Sequence, residues 1–324
     1  MKILPFHPRA AFAPVVFWLS LVCAAHAAEP KVVVTVKPIH ALVAGVMDGV
    51  GTSELIVSGT ASPHTFTLRP SGAQAINGAD VFIRVSEHLE PFTAKVVSAL
   101  PDSVKVLSLA EAPGVVVLDQ RTGDTFEQHG HAEDGHEDHG EHDGEADAHD
   151  DGAAKDSHIW LDPVNAKAIV ADVTRVLSQR YPEDAEKFAA NAAALTSKID
   201  ALTAEIEAEL APVKDKPFIV FHDATQYFER RFGLSAAGSV TVSPEVQPSA
   251  KRLTAIRKKI AALGAVCVFA EPSFQPKLVE AVTGGTAAKS GTLDPEGASL
   301  TPGPDLYFTL MRNLAASLKT CLAS

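Results

Sequence analysis

The chain has 324 residues, and 46% of them are hydrophobic, which is enough to form one large domain or two medium-sized domains. The formal net charge of −12 is concentrated between Asp119 and Asp156, where 14 acidic residues accompany 2 basic ones, so the rest of the chain is close to neutral. Because the sequence has no basic stripe, its composition argues against a nucleic-acid partner.

Residues 1–27 have the features of a cleavable signal peptide. Two basic residues precede an apolar run, and Ala25-His26-Ala27 fits the small-residue rule for a cleavage site. Export to the periplasm is therefore expected. Lipidation at Cys23 is the alternative, but Val22 fits the position before a lipidated cysteine poorly. No later segment reaches the ~20 consecutive apolar residues that a membrane span needs.

Predicted strands and helices alternate through the first lobe, residues 28–123. Apolar and β-branched runs predict strands at 31–36, 54–58, 80–85 and 104–107, and a further short strand at 114–118. Helices are expected at 38–50, at 91–100 and in a short segment that ends at residue 77. This alternation indicates a parallel sheet covered on both faces, which binds ligands beyond the carboxyl ends of its strands. His64 follows the second predicted strand and so fits that position.

Residues 124–153 form a low-complexity segment that we expect to be disordered, because almost nothing in it is apolar. Its histidines lie among carboxylates and predict weak, auxiliary metal binding. They are His129, His131, His136, His139, His142 and His149. The segment could collect a scarce metal or act as a sensor or buffer of a plentiful one, and a solvated insert without a role is the alternative.

A long helix is predicted between two lobes. Residues 154–181 complete the first lobe with a helix that begins at Pro163, and a periodic apolar stripe then continues through 182–211. Some 28 helical residues span roughly 40 Å, which is long enough for a spine. The second lobe, 212–324, repeats the alternation of the first. Its strands are expected at 218–221, 236–240, 265–270 and 287–293, and its helices at 224–232, 248–263, 276–282 and 305–322.

Two cysteines lie after the signal segment. An exported chain with two cysteines usually pairs them, so we expect a disulfide between Cys267 and Cys321 that attaches the last helix to the core sheet. Two buried free thiols are the alternative. Metal binding by the two thiolates is disfavoured by their apolar neighbours.

Four residues are candidate ligands for one metal ion: His64, His158, His222 and Asp294. Two come from each lobe if the lobes are as predicted, which places the site in the cleft between them. Three imidazoles and one carboxylate form a four-coordinate shell that suits zinc. The spacings are not those of a close-range zinc motif, so each histidine could instead be an ordinary loop or core residue, and Asp294 a turn residue.

The segments around these residues resemble the metal-binding solute-binding proteins of ABC importers, and within them the zinc-uptake branch of ZnuA type. The similarity is carried by the segment around His64, by His-Ile-Trp-Leu-Asp-Pro at 158–163, by Phe-His-Asp-Ala at 221–224, and by Gly-Thr-Leu-Asp-Pro at 291–295. These motifs occur in the right order over nearly the whole mature chain. The acidic histidine-rich segment and the cysteine pair near the C-terminus are also typical of that branch.

The resemblance implies an α/β fold with two lobes, each with a small, mostly parallel sheet flanked by helices, joined by one long rigid helix. It implies that His64, His158 and His222 bind Zn(II) in the cleft; the manganese branch commonly has Glu in place of His222. In some members the fourth ligand is a glutamate just before the first histidine, where this chain has Pro63, and in others it is water. We expect Asp294 here. Glu271 is expected either to hydrogen-bond a ligand imidazole or to be a structural carboxylate.

The implied function is capture of Zn(II) with high affinity in the periplasm and its delivery to an ABC permease in the inner membrane. The protein is expected to be a monomer and not an enzyme. A secreted zinc-dependent hydrolase is one alternative, because three histidines with an open fourth position also fit a catalytic metal. A manganese-binding receptor of the same family is another, and an adhesin or metallochaperone is a third.

Overall fold

The structure is a computed structural model that describes residues 29–122, 126, 154–241, 248–264, 267–273 and 277–323. The predicted signal peptide, with Cys23, lies outside the described residues. The six histidines of the acidic segment lie outside them as well, because Phe126 is the only described residue in 124–153.

The first half of the chain forms a four-stranded parallel sheet with the strand order β2-β1-β3-β4. The strands are β1 (Val32–Val34), β2 (Ser53–Leu55), β3 (Val81–Arg84) and β4 (Lys105–Ser108), and the helices between them are α1 (Lys37–Val46), α2 (Pro70–Asn77) and α3 (Ala94–Val97). The three valines of β1 are at most 3% exposed, as expected for a central parallel strand covered on both faces.

The predicted strand at 114–118 is wrong. The backbone N–H of Val116 donates to the side-chain oxygen of Asn165, and the side-chain nitrogen of Asn165 donates to the Val116 carbonyl. An amide side chain thus takes the hydrogen bonds that a neighbouring strand would provide. The only pairing in this stretch is an isolated antiparallel bridge between Asp119 and Lys155.

Two helices connect the halves of the chain, α4 (Pro163–Arg180) and α5 (Ala185–Leu210). Helix α5 has 26 residues, so it is about 39 Å long at 1.5 Å per residue. It packs against α4 and α1 on one side and against α9 (Leu306–Leu322) from the second half. Its buried residues follow the predicted apolar stripe: Phe188, Leu195, Ile199, Leu202, Ile206 and Leu210. The long central helix is therefore confirmed.

The second half forms another four-stranded parallel sheet, with the strand order β6-β5-β7-β8. The strands are β5 (Phe218–Val220), β6 (Ala236–Ser239), β7 (Cys267–Ala270) and β8 (Lys289–Thr292), and the remaining helices are α6 (Gln226–Phe232), α7 (Ala250–Leu263) and α8 (Lys277–Thr283). The two sheets have the same topology: in each, the second strand along the chain lies at the edge, next to the first strand. The predicted α/β fold with two sheets is confirmed.

The predicted disulfide is also confirmed: Cys267 in β7 is bonded to Cys321 near the end of α9. Beside it, Gly291 of β8 lies so close to the Phe269 ring that an added Cβ would be 2.6 Å from a ring carbon, so only glycine fits there. Among the helices of the described residues, none is both long enough and apolar enough to cross a bilayer.

Candidate metal centre

Three histidine rings meet between the two halves of the molecule. The Nε2 atom of His158 lies 3.4 Å from the Nε2 of His64 and 3.4 Å from the Nε2 of His222. One nitrogen from each ring lies within 4.8 Å of the other two. The first two rings come from the first half of the chain and the third comes from the second half, so the centre joins the halves.

Each histidine is placed by the end of a strand or by the start of a helical turn. His64 lies in a turn after β2, His158 precedes a 3-10 turn at Ile159–Leu161, and His222 follows β5 closely. His158 and His222 are only 4% and 3% exposed. This is the carboxyl-terminal edge of both sheets, where parallel sheets bind ligands.

A carboxylate orients the ring of His158. The Oδ1 atom of Asp156 lies 2.8 Å from Nδ1 of His158 and also accepts the backbone N–H of His158 at 3.0 Å. An imidazole that donates from Nδ1 to a carboxylate presents the lone pair of Nε2 to a metal. Trp160 packs edge-on against the ring, with 5.4 Å between ring centroids, and its own indole N–H donates to the carbonyl of Pro295.

The ring of His222 is oriented in the same way by Glu271, which follows β7. The Oε1 atom of Glu271 lies 2.5 Å from Nδ1 of His222 and accepts the backbone N–H of His222 at 3.2 Å. Burial disfavours a charge on this ring, but the neighbouring Glu271 carboxylate outweighs burial and raises the pKa of His222 to about 9. Without a metal, this histidine therefore carries a proton at neutral pH.

The surroundings of His64 shift its pKa in the opposite direction from that of His222. Burial, reinforced by the neighbouring rings of His158 and His222, lowers the pKa of His64 well below its ordinary value. This ring is therefore neutral at pH 7, as a ligand must be.

A structural network fixes the segment that leads into His158. The hydroxyl of Tyr227, on α6, donates to the carbonyl of Asp156 and accepts the backbone N–H of Leu118. Nearby, the guanidinium of Arg121 pairs with Glu229 at 2.7 Å and with Asp223, the residue after His222. The described residues on either side of the acidic segment are thereby attached to the second half of the chain, next to the centre.

The geometry of the three rings fits a single zinc ion. In a tetrahedral site with Zn–N bonds of about 2.05 Å, neighbouring ligand atoms are about 3.3 Å apart. The two Nε2 separations of 3.4 Å are close to that value.

The structure does not bring Asp294 into the group of three rings. Its carboxylate accepts the backbone N–H groups of Ala298 and Ser299, at 2.8 and 3.0 Å, and the Ser299 hydroxyl at 2.8 Å. The carboxylate of Glu296, two residues later, lies beside the centre, with Oε1 3.9 Å from Nε2 of His64. Burial raises the pKa of Glu296 to about 8.

Sequence reasoning assigned no role to Asp156, Glu296 or Arg121. The position of Asp156, two residues before a candidate ligand, is a usable signal, because a carboxylate there can reach the backbone N–H and the ring of that histidine. Glu296 lies two residues after Asp294, directly after the motif at 291–295, and the sequence alone does not show which carboxylate turns inward.

Comparisons with known proteins show the family of the chain. A family model described as "ZnuA: Zinc-uptake complex component A periplasmic" matches residues 32–321. The "High-affinity zinc uptake system protein ZnuA" of Brucella suis is 49% identical over 313 residues, which cover 90% of this chain and 91% of that protein. The protein of the same name from Yersinia pestis is 36% identical, and the match covers 91% of this chain and 92% of that protein.

A solved structure shares the fold. It is the laminin-binding protein Lmb of Streptococcus agalactiae, described as bifunctional, with adhesin and metal transporting activity. It has a TM-score of 0.71 and 26% identity, and the match covers 90% of this chain and 98% of that one. The family model spans most of the sequence, and both zinc-uptake relatives match nearly their whole length. The chain therefore belongs to the ZnuA family of periplasmic zinc-uptake components.

Proposed function

We propose that this protein is a receptor that captures Zn(II) with high affinity in the periplasm and delivers it to an ABC importer in the inner membrane. The observation that carries the proposal is the convergence of three imidazole rings, in which Nε2 of His158 lies 3.4 Å from Nε2 of each of the other two. Carboxylates orient two of these rings. The Brucella and Yersinia relatives are named as high-affinity zinc uptake proteins, which supports zinc as the cargo.

In this proposal His64, His158 and His222 bind the ion, and Glu271 orients the ring of His222. Asp294 was expected as the fourth ligand. The three hydrogen bonds that its carboxylate accepts within its own turn favour a role in shaping that turn.

Zinc is favoured over manganese because the donors are nitrogens. Imidazole suits Zn(II), whereas Mn(II) prefers carboxylate, carbonyl and water oxygens. In titrations with a competing chelator, the protein is expected to bind one Zn(II) tightly and Mn(II) much more weakly. Equal affinity for the two ions would contradict the assignment.

The variant His158→Ala tests whether the three rings form the site. Tight zinc binding should be lost, whereas His88→Ala, which removes an exposed histidine, should bind zinc like the wild-type protein. If both variants keep the wild-type affinity, zinc binds elsewhere and the proposal fails.

Family membership favours a transport receptor over the hydrolase alternative. We therefore expect the zinc-loaded protein to leave ester, peptide and phosphate substrates unchanged. Turnover that disappears in His158→Ala would support the hydrolase instead.

The remaining parts of the proposal concern export, docking on the permease and the histidine-rich segment. We propose that residues 1–27 direct export, that the monomer docks on the permease, and that the histidines of the segment 124–153 bind further zinc weakly. Deletion of 124–153 should leave one tightly bound zinc per chain. Loss of all tightly bound zinc on deletion would contradict this division of roles.

A further inference from the structure

One oxygen of the Glu296 carboxylate is buried without a hydrogen-bond donor among the described residues. This oxygen is Oε1, and the side chain that carries it is 12% exposed. A buried carboxylate oxygen without a donor is costly, and native proteins seldom retain one unless a ligand, ion or water completes it. The nearest imidazole nitrogen is Nε2 of His64, at 3.9 Å.

The other carboxylates around the centre are already used by protein donors. Asp156 bonds to His158, Glu271 bonds to His222, and Asp294 bonds to the backbone of its own turn. Of these four carboxylates, Glu296 is the one with a buried, unbonded oxygen next to a ligand ring.

The backbone that carries Glu296 is held on both sides. On one side, the Trp160 indole donates to the carbonyl of Pro295. On the other, the ammonium of Lys37, at the start of α1, donates to the carbonyls of Gly297, Ala298 and Leu300 at 3.1, 2.7 and 3.0 Å. The main chain is thereby fixed beside the centre, and the carboxylate can approach an ion by rotation of its own side-chain bonds.

We propose that Glu296 supplies the fourth ligand of the transported zinc ion. This inference rests on the proposed function and deepens it. Three rings occupy three corners of a tetrahedron whose edges are about 3.3 Å for zinc with nitrogen and oxygen ligands. The Glu296 Oε1 atom lies 3.9 Å from Nε2 of His64, about 0.6 Å longer than such an edge. The carboxylate is not within 4.8 Å of all three rings, so its side chain has to turn inward when the ion binds.

A carboxylate at the fourth corner gives a closed site. Four protein ligands are the arrangement of zinc sites that hold the metal, whereas catalytic sites keep a position for water or substrate. The negative charge of Glu296 also offsets part of the +2 charge of an ion that is otherwise bound by neutral rings. Glu296 therefore suits a receptor better than a hydrolase.

The test compares Glu296→Gln with the wild-type protein and with Glu87→Gln, which alters an exposed glutamate. Zinc affinity is measured by chelator competition, and Co(II) is bound in place of zinc because its visible absorption reports the ligand set. We expect Glu296→Gln to weaken zinc binding at least tenfold and to change the Co(II) spectrum. The Glu87→Gln protein should match the wild-type protein in both measurements.

Wild-type affinity and spectrum in Glu296→Gln would overturn the inference. A changed Co(II) spectrum in Asp294→Asn, with none in Glu296→Gln, would also overturn it and assign the position to Asp294. These outcomes are distinct from a failure of the proposed function, in which the wild-type protein lacks tight zinc binding or His158→Ala retains it.

Discussion

Substitution of Glu271 separates the orienting role of a carboxylate from direct metal binding. Its Oε1 atom accepts both the Nδ1–H and the backbone N–H of His222, and the residue is 8% exposed. Glutamine keeps an acceptor oxygen but removes the negative charge that makes the His222 imidazole a stronger ligand for the metal. Loss of such an outer partner costs about 10-fold to 100-fold in metal affinity, which corresponds to about 1.4 to 2.8 kcal/mol.

The loss of zinc affinity in Glu271→Gln depends on pH, because Glu271 also favours the protonated form of His222. At pH 7 the wild-type ring, with a pKa of about 9, must lose a proton before it binds zinc. Glu271→Gln lowers that pKa and removes part of this competition, so the measured loss of affinity is smaller at pH 7 than at pH 9. At pH 9 we expect the full effect of about 10-fold or more.

Chelator competition at pH 7 and pH 9 measures both values of Kd. Glu207→Gln, on the exposed face of α5, is the matched control and should leave Kd unchanged at both pH values. If Glu271→Gln binds zinc like the wild-type protein at pH 9, the hydrogen bond to His222 does not tune the metal site, and the reasoning is refuted.

Three further outcomes are expected. Arg121→Met leaves two acidic partners without their cation and should lower the unfolding free energy of the zinc-free protein by about 3 kcal/mol in urea denaturation. Arg312→Ala, which breaks an exposed ion pair, is the control and should change the unfolding free energy by less than about 1 kcal/mol. Cys321→Ser opens a loop with a sequence separation of 54 residues and should lower the unfolding free energy by about 4 kcal/mol in the chain-entropy model; an unchanged denaturation midpoint would contradict this. His222 retains its proton up to a pKa of about 9 and Glu296 up to a pKa of about 8, so zinc affinity should fall by at least about tenfold per unit as the pH drops below 8. Chelator competition that shows no change from pH 6.5 to 8 would contradict this.

Much of the fold could be predicted because buried parallel strands leave a strong pattern. Apolar, β-branched runs such as the one in β1 have few alternatives when they are short and alternate with helices. The strand predicted at 114–118 is wrong for a reason that the pattern does not contain. Its valines look like those of β1, but Asn165, some 50 residues later, takes the backbone hydrogen bonds.

The candidate site was predictable to a different extent for different residues. The three histidines follow strands or precede helical turns, so topology alone brings them to one edge of each sheet. The carboxylates are harder to assign, because Asp294 and Glu296 lie on one short turn and differ in the direction of their side chains. The backbone of that turn is held by hydrogen bonds from Lys37 and Trp160, which are more than 130 residues away in sequence.

The three carbonyls that surround the Lys37 ammonium have a consequence for unloading. The lysine belongs to the first half and the carbonyls to the second, so parting the halves strips a buried cation of all three acceptors. Each hydrogen bond to a charged donor contributes about 1.5 to 3 kcal/mol, so the free energy of the open state is on the order of 5 kcal/mol above that of the closed state. Roughly one molecule in several thousand would open spontaneously. We therefore expect the zinc-loaded protein to lose its ion rarely in solution, and release to require contact with the permease.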